Sequence, residues 1–576
     1  MPLGTGRAFR NSPQAETVSQ ISAPEWDTVS GSGLKRKVHP RIQAQNGTRF
    51  PDGMFGGNYG PVFGSRTGYI FRNGSRAVVY RPFCVRRLSN YVIASYIIGR
   101  YNIASYNVKE GWSMFVGRTA EMSELNRLYG TDSFEMPVIY GRRRVGKTRL
   151  ITEFIQGKKA IYFQARRTNA EANLHGFSQA ILAGSVGAAG VSFRSFDEAF
   201  DALVTMARTE RLIVVIDEYP YLAQSNPEIS SLLQDKIDHL YKETKLMLIL
   251  CGSSLSFMEE RVLGYESPLY GRRTAQFKIM PLDFTTILDL WQSMGREDAA
   301  VCYGMTGGIP AYIEKVDPVA PLKDNIKRLF LTPTGYLFEE PSNLLLQECR
   351  NPEQYDAIVQ AIAQGRSKIS EIASSTGIPA SNVKSYVDKL ASLGIVEREL
   401  PLNETSNKRA VYLLSDQMFR FWYKFVPQNI GLIQNDMAEM AYKRIEPHVS
   451  DYMGTVFELI CRQYVYELAR AGQLDVVPAS VGRWWGTDNR THTQEEIDLI
   501  VDDGESTALF AECKWRNEPV GEDVLQKLVY RSELFRRQRK SYALFSKSGF
   551  TQGCRDAVES RGDVKLISFA EMCERR

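Results

Sequence analysis

The segment GRRRVGKT, Gly141 to Thr148, sets two glycines around a short loop and a Lys-Thr pair directly after the second. That spacing matches G-x-x-x-x-G-K-[ST], in which backbone N–H groups curl around phosphate oxygens at a helix N-terminus. Gly141, Arg142, Arg143, Arg144, Val145, Gly146, Lys147, Thr148 and Arg149 are therefore the candidate nucleotide-binding residues. Lys147 is placed to reach the β and γ phosphates, and the Thr148 hydroxyl to ligate Mg²⁺. Further on, RLIVVIDEYP ends an apolar run with Asp217 and Glu218, and KLMLILCGSS ends another with Ser253 and Ser254. At strand ends facing one crevice, Asp217 would hold Mg²⁺ through water and Glu218 would polarise the attacking water. Ser253 and Ser254 would hydrogen-bond the γ-phosphate or that water. A second group of charges stands near the C-terminus, where QEEIDLIVDDGESTALFAECKW places Asp498, Glu512 and Lys514 on two strand-like segments around a DDGE turn.

These residues need particular elements behind them. MPVIY before the loop reads as a strand and RLITEFI after it as a helix, the context the loop requires. The runs before Asp217 and Ser253 are apolar throughout, as strands covered on both faces of a parallel sheet must be. At the C-terminus, alternation puts Asp498 and Ile500 on one face, and Phe510, Glu512 and Lys514 on one face. The two sets converge only if an odd number of residues closes the hairpin. A charged Glu512 within LFAEC would be costly without a partner. The preceding helix, YMGTVFELICRQYVYELARAG, sets Glu458 among apolar neighbours.

FVGR at 115–118, the loop at 141–148, IDE at 216–218, CGSS at 251–254, SPLYGRRT at 267–274, MPLDF at 280–284 and GGIP at 307–310 form an ordered series. It resembles the motifs of the archaeal-type P-loop ATPases, a group similar to AAA+ and STAND proteins, over roughly residues 114–320. The resemblance implies ATP hydrolysis with Mg²⁺, Arg118 near the adenine, and Arg272 or Arg273 as a finger on the γ-phosphate. A solvated pair opening an edge strand is the alternative for those two arginines. Cis and trans fingers stay open, and a trans finger requires a homo-oligomer. GGIP followed by AYI would be where a helical lid faces the nucleotide, although no sensor arginine stands there.

Residues 355–400 read as three helices with short breaks, followed by IVERELPL, a polar NETSNK loop and RAVYLLSD. Thr376-Gly377-Ile378 would form a turn and Ser381 would cap the third helix, the pattern of a winged helix-turn-helix. In that fold helix 381–393 would enter a DNA groove. Its cations are only Lys384 and Lys389 beside Asp388, with Lys408 and Arg409 on the wing, so DNA contact and interdomain packing both stay open. SDQMFRFWYKFV, 415–426, is aromatic at near-helical spacing and reads as core.

The C-terminal pattern, with an upstream helical glutamate, resembles the PD-(D/E)xK nucleases, which include restriction endonucleases. That likeness implies Asp498 and Glu512 as metal ligands, Lys514 as the catalytic lysine and Glu458 as an accessory carboxylate. The family's proline is missing, because Ile497 precedes Asp498. An intact nuclease site, a degenerate nuclease fold used for binding and an unrelated α/β domain remain three readings. Lys527, Arg531, Arg536, Arg537, Arg539 and Lys540, read as one basic helix over 525–545, would be a solvated face or a track for a DNA backbone.

The 576 residues, 43% of them hydrophobic, suffice for three or four cores. The eight cysteines include no C-x-x-C pair, which argues against a zinc site or a disulfide framework and for a reducing, cytoplasmic setting. No apolar run reaches the roughly 18 residues needed to span a bilayer, so a membrane role is not expected. The net charge of +5 is unevenly placed: residues 1–113 carry +10 and the remainder −5. Any DNA contact must then rest on a local patch.

The expected fold is α/β: a P-loop NTPase parallel sheet with a helical lid, a winged helix-turn-helix and a C-terminal restriction-endonuclease-like α/β domain. The expected boundaries are 114–285 for the ATPase core, 286–348 for the lid, 349–427 for the winged helix and 428–576 for the nuclease-like domain. Residues 1–113 lack sustained periodicity and read as a disordered or non-native extension before Met114, with a short hairpin in 91–108; a basic arm that orders on a partner is the alternative. The expected function is an AAA+ type, Mg²⁺-dependent ATPase whose nucleotide state controls a DNA-processing domain. The alternative is a nucleotide-dependent switch that binds DNA or protein without cleavage.

Overall fold

The computed structural model describes residues 70–73, 76–79, 115–183 and 191–574. The chain divides into two units, Met1–Tyr91 and Val92–Arg576. In the first, β1 (Ile70–Asn73) pairs antiparallel with β2 (Arg76–Val79), Ile70 opposite Val79. This hairpin departs from the expectation of no strand pattern in 1–113. Its sequence signal is a Gly-Ser pair between two short runs with β-branched and aromatic residues, a composition suited to a two-residue connection. The hairpin expected in 91–108 lies outside the described residues.

In the second unit, β3 (Pro137–Tyr140) leads into the glycine loop and helix α1 (Lys147–Ile155). β4 (Ala160–Gln164) and β5 (Leu212–Asp217) follow, then helix α2 (Ile229–His239), β6 (Leu246–Gly252) and β7 (Ala275–Lys278). The strands form one parallel sheet in the order β4-β5-β6-β3-β7. β5 and β6 are buried along their whole length, which explains their unbroken apolar runs. Period-two alternation divides their side chains between two cores. Ile213, Val215, Ile249 and Cys251 face one, and Val214, Ile216, Leu248 and Leu250 face the other with Phe177 and Phe200.

The first of these cores runs on through the rest of the chain. It passes helix α3 (Glu340–Glu348), then α4 (Pro352–Ala363), α5 (Ile369–Thr376) and α6 (Ala380–Ser392). The antiparallel pair β8 (Val396–Glu399) and β9 (Val411–Leu414) and the aromatic helix α7 (Gln417–Phe425) come next. Phe419, Phe421 and Phe425 of α7 are buried, as their spacing predicts. Pro379, not Ser381, is the residue before α6, and no side chain caps that helix.

The long helix α8 (Val449–Arg470) carries the core into a second sheet. Near the start of α8 the Tyr452 hydroxyl donates to the carbonyls of Gly304 (2.5 Å) and of Gln417 in α7 (3.1 Å), away from that sheet. The second sheet holds β10 (Ser480–Asp488), β11 (Thr493–Asp502), β12 (Thr507–Lys514), β13 (Arg539–Ser546) and β14 (Val564–Ser568), in that spatial order. β10, β11 and β12 are antiparallel neighbours; β13 and β14 continue in parallel, with helix α9 (Glu522–Ser532) crossing between β12 and β13. The basic segment 525–545 is thus the end of a helix, a turn and a strand. No helix among the described residues is long and apolar enough to cross a membrane.

Two candidate active sites

The phosphate loop is shaped by backbone geometry. Gly141 has φ +155°, and a Cβ there would stand 2.5 Å from the Ile279 carbonyl oxygen. Gly146, at φ +90°, turns the chain into α1, and Pro310 of GGIP packs beside it. The Lys147 ammonium donates to the carbonyls of Gly141 (2.9 Å) and Arg142 (3.0 Å), folding over the loop. Burial, the largest influence, lowers its pKa, and the Glu218 and Asp217 charges oppose that.

Three strand ends meet at this loop. The Thr148 hydroxyl donates to Asp217 (3.0 Å), and so does the Tyr162 phenol from the middle of β4 (2.5 Å). Burial, then the Asp217 charge, pushes the Tyr162 phenol far up, which keeps it a donor. Glu218 sits in the left-handed region at φ +52°, a strain of roughly 1–3 kcal/mol for a residue with a side chain. Its carboxylate accepts from the Ser253 hydroxyl (2.8 Å) and backbone N–H (3.4 Å). Ser253 therefore orients Glu218. Ser254 lies one residue farther on, starting a short helical turn with its carbonyl. Arg149 is exposed on the first turn of α1.

The arginines expected at the nucleotide are placed otherwise. Arg118 lies against the loop, donating to the carbonyls of Met280 (2.5 Å) and of the loop residue Val145 (3.2 Å). Arg142 pairs with Asp416 before α7. Arg143 pairs with Glu348 and donates to the Tyr221 hydroxyl (2.8 Å). Arg144 pairs with Glu340 (2.5 Å) and lies over the Tyr312 ring. What these three loop positions retain for phosphates is their backbone.

Arg272 and Arg273 are farther still. Pro137 lies opposite Ala275 and Tyr140 opposite Lys278, so both arginines precede the strand end remote from the loop. That separation is about 10 Å or more at 3.3 Å per residue. Arg272 binds Asp238 at the end of α2 through Nε (3.1 Å) and Nη2 (2.5 Å), and Arg273 is exposed. Neither reaches the loop of its own chain, so of the two finger arrangements left open by the sequence the trans one is the one this register accommodates.

The second site is built from charges. The last paired residues of the β11–β12 hairpin are Asp502 and Ala508, so residues 503–507, an odd number, close it. The simple alternation expected for β11 fails, however. Gly482 pairs with Ile500 and Trp484 with Ile497, so Asp498 and Leu499 together oppose the single residue Arg483. This bulge lets Ile497 and Ile500 share one core while Leu499 joins the other. Asp498 is re-aimed by the bulge: its Oδ2 accepts from the Cys513 N–H (2.9 Å) and from the Lys514 ammonium (3.0 Å).

Lys514 also donates to Glu512 Oε2 (2.5 Å), and Arg531 holds Glu512 Oε1 (2.7 Å) and Glu495 (2.8 Å). Burial, then the Asp498 charge, raises Glu512 to about 7. The same two causes raise Glu458 to about 7. Burial works against the Lys514 ammonium, but Asp498 and Glu512 outweigh it and hold its pKa above the usual range. Among the described residues no group of three or more His, Cys, Asp or Glu side chains is gathered as a metal cage, although Glu458 feels the Asp498 charge and lines the same cavity. Two carboxylates nevertheless suit Mg²⁺, which binds through one or two carboxylates plus substrate phosphates. At the loop, Thr148 and Asp217 offer a donor set of the same kind.

Three residues stand out that sequence reasoning missed or misplaced. Arg531 belongs under Glu512, not on a DNA-facing surface; its signal is α9 itself, whose buried Leu525 and Leu528 require it to cover that sheet face. Arg537 is likewise committed, to Asp502 (2.7 Å). Arg483 at the bulge pairs with Glu496 (2.9 Å) and faces Glu399 (3.6 Å). The polar loop after β8 docks on that strand, the Leu402 N–H donating to the Arg483 carbonyl (3.0 Å) and the Asn403 amide to Asp502 (2.6 Å). A cavity of about 460 Å³ joins the two halves, lined by Gly141 and Arg142 from the loop and by Glu458 and Asp498 from the second site.

Residues 115–316 match the family described as an ATPase domain predominantly from Archaea, and residues 422–527 one described as "Archaea bacterial proteins of unknown function". An uncharacterized protein of Methanocaldococcus jannaschii is 32% identical over 444 residues, 75% of this chain and 96% of the relative. An uncharacterized ATP-binding protein of the same organism is 45% identical over 49 residues, 8% of this chain and 83% of its own. Among solved structures, the Walker-type ATPase of Pyrococcus abyssi aligns at a TM-score of 0.44 and 19% identity, covering 55% of this chain and 98% of that one. The Aeropyrum pernix ORC2 protein aligns at 0.34 and 15%, covering 57% and 96%. By its identity to the first relative along nearly that protein's whole length, the chain belongs to the same family, and within it residues 115–316 form an archaeal-type P-loop ATPase domain.

Proposed function

We propose that this chain is an ATPase of the AAA+ kind whose nucleotide state controls a C-terminal, nuclease-like, DNA-processing domain. In this reading residues 114–285 are the ATPase core, 286–348 a helical lid, 349–427 a winged helix-turn-helix and 428–576 the nuclease-like domain. Bound Mg²⁺ would offset phosphate charge at both sites. At the loop, Lys147 and the backbone N–H groups of 141–148 hold the phosphates, Thr148 and Asp217 hold the cation, and Glu218, oriented by Ser253, polarises water. At the second site, Asp498 and Glu512 hold the cation and Lys514 orients water or stabilises developing charge.

The observation that carries the control reading is the set of loop arginines. Arg142, Arg143 and Arg144 are each paired with a carboxylate well downstream, at Asp416, Glu348 and Glu340. A change in the loop's backbone on binding triphosphate would be transmitted directly to the lid and to α7. The test is Mg²⁺-dependent cleavage of labelled single- and double-stranded DNA with and without ATP, in wild type, Lys147→Ala and Lys514→Ala. Cleavage lost in Lys514→Ala and no longer responsive to ATP in Lys147→Ala is the expected result. ATP hydrolysis with no DNA cut in wild type would overturn the nuclease half.

One observation favours the rival, a switch that binds DNA or protein without cutting. The Lys514 ammonium lies against both Asp498 and Glu512, a self-neutralised arrangement that is stable without a cation.

A further inference from the structure

We propose that Tyr162 is a positioning residue for ATP hydrolysis, fixing which oxygen of Asp217 faces the nucleotide-bound cation. The inference deepens the ATPase reading above and rests on it. Tyr162 stands opposite Val215 and Gln164 opposite Asp217, so the tyrosine lies two residues short of the carboxylate along the sheet, about 7 Å at 3.3 Å per residue. A long side chain leaning along its strand spans that gap, and a serine or threonine there would not. Ile161 and Phe163 are buried in the core on one face of β4. Alternation turns Tyr162 to the other face, where it packs against the core that includes Val145 of the loop and Leu150 of α1.

The Asp217 carboxylate is almost wholly buried and is met by neutral donors. Its Oδ2 accepts from the Tyr162 phenol (2.5 Å) and the Thr148 hydroxyl (3.0 Å), and its Oδ1 accepts from the Glu218 N–H (2.9 Å). The Cys251 thiol, a weak donor that burial keeps protonated, also faces it. A carboxylate offers about four lone-pair positions over its two oxygens. Two hydroxyls fill Oδ2, and Oδ1 keeps one position for a stronger donor than a thiol, such as a cation-bound water. Thr148 belongs to the loop, so its geometry follows the nucleotide and the cation. Tyr162 reaches Asp217 from a neighbouring strand instead, and its hold on Oδ2 does not depend on what the loop binds. Being neutral, the phenol fixes the carboxylate without cancelling the charge a cation needs.

The experiment measures Mn²⁺ binding to the full chain by electron paramagnetic resonance, scoring only the ion bound when a non-hydrolysable ATP analogue is added. Wild type is compared with Tyr162→Phe, which keeps the ring and removes the hydroxyl. Affinity for a fluorescent ATP analogue in EDTA and the Mg²⁺ dependence of ATP hydrolysis are measured beside it. The expected result is Mn²⁺ affinity weakened about tenfold, with the Mg²⁺ needed for half-maximal hydrolysis raised to match and nucleotide affinity in EDTA unchanged. A loss of nucleotide affinity in EDTA as large as the loss in Mn²⁺ affinity overturns the proposal, because Tyr162 would then serve the fold alone. Unchanged Mn²⁺ affinity in Tyr162→Phe, beside a wild type that hydrolyses ATP, sinks this inference and leaves the ATPase reading standing. A wild type that binds no Mn²⁺ with nucleotide and hydrolyses no ATP sinks both.

Discussion

The two candidate sites solve the same problem, holding charged groups where phosphate chemistry could occur, by opposite means. At the phosphate loop the lysine is held by two backbone carbonyls, and the acidic residues receive hydroxyl and N–H donors. At the C-terminal site every key group except Glu458 is held by an opposite charge: Lys514 by two carboxylates, Glu512 by Lys514 and Arg531. Neutral partners fix geometry without cancelling charge, so Lys147 keeps its charge for a ligand while the three loop arginines spend theirs on downstream carboxylates. Ion pairs fix geometry by cancelling it, which makes the second site dependent on each partner.

Removing the lysine from each site should break this comparison most sharply. Lys147→Ala should lower ATP hydrolysis by about 100-fold or more while costing the fold roughly 1 kcal/mol or less, since it strands no charge. Lys514→Ala leaves Glu512 and Asp498 facing each other with one less cation, and should cost about 2–4 kcal/mol. Thermal unfolding of the two variants measures this directly. If Lys147→Ala is the less stable protein, the contrast between neutral and ionic anchoring is wrong.

The same difference makes the second site sensitive to pH. Glu458 is pushed up to about 7 from an ordinary 4.5, so the folded state holds a proton that the unfolded state has already lost between those values. Stability should therefore fall as pH rises from about 4.5 to about 7, by up to about 3 kcal/mol for this group. Glu458→Gln should abolish that part of the slope, and its advantage over wild type should be greatest above pH 7. Equal pH profiles for the two proteins, read from urea midpoints, would remove Glu458 from the account.

How much of this was readable in the sequence follows the same line. Gly141, Gly146, Lys147 and Thr148 act through local backbone geometry, and Asp217 and Ser253 end strands whose burial their apolar runs announce. Those features lie within a few residues of the signal that reveals them. Arg142 and its partner Asp416 are 274 residues apart, and no spacing rule connects them. At the second site, Asp498, Glu512 and Lys514 stood out by type, but the bulge that aims Asp498 exists only in the pairing of β11 with β10. Arg531 carried a clear charge signal that pointed to solvent until the crossover of α9 turned it inward.

The link between the sites can be tested by the pair Arg142 and Asp416. Arg142→Ala leaves Asp416 buried without its cation and Asp416→Asn does the reverse, so each alone should cost about 1–3 kcal/mol, and the double variant less than their sum. ATP hydrolysis should persist while any effect of ATP on the C-terminal domain shrinks several-fold. Additive costs would mean the pair carries no coupling.

Arg272 sharpens the comparison from outside both sites, and its effect should be the smallest. Its partner Asp238 lies in the last turn of α2 and the pair is only partly buried, so Arg272→Ala should cost at most about 1 kcal/mol. Because β7 separates Arg272 from its own phosphate loop, any loss of ATP hydrolysis in this variant must come through a second copy. That loss should then be rescued by mixing Arg272→Ala with Lys147→Ala, each chain supplying what the other lacks. If the variant hydrolyses ATP normally at every protein concentration, Arg272 is a structural tether between α2 and β7. If it is inactive and mixing restores nothing, the separation read from the β3–β7 register is not the distance that matters in the working enzyme.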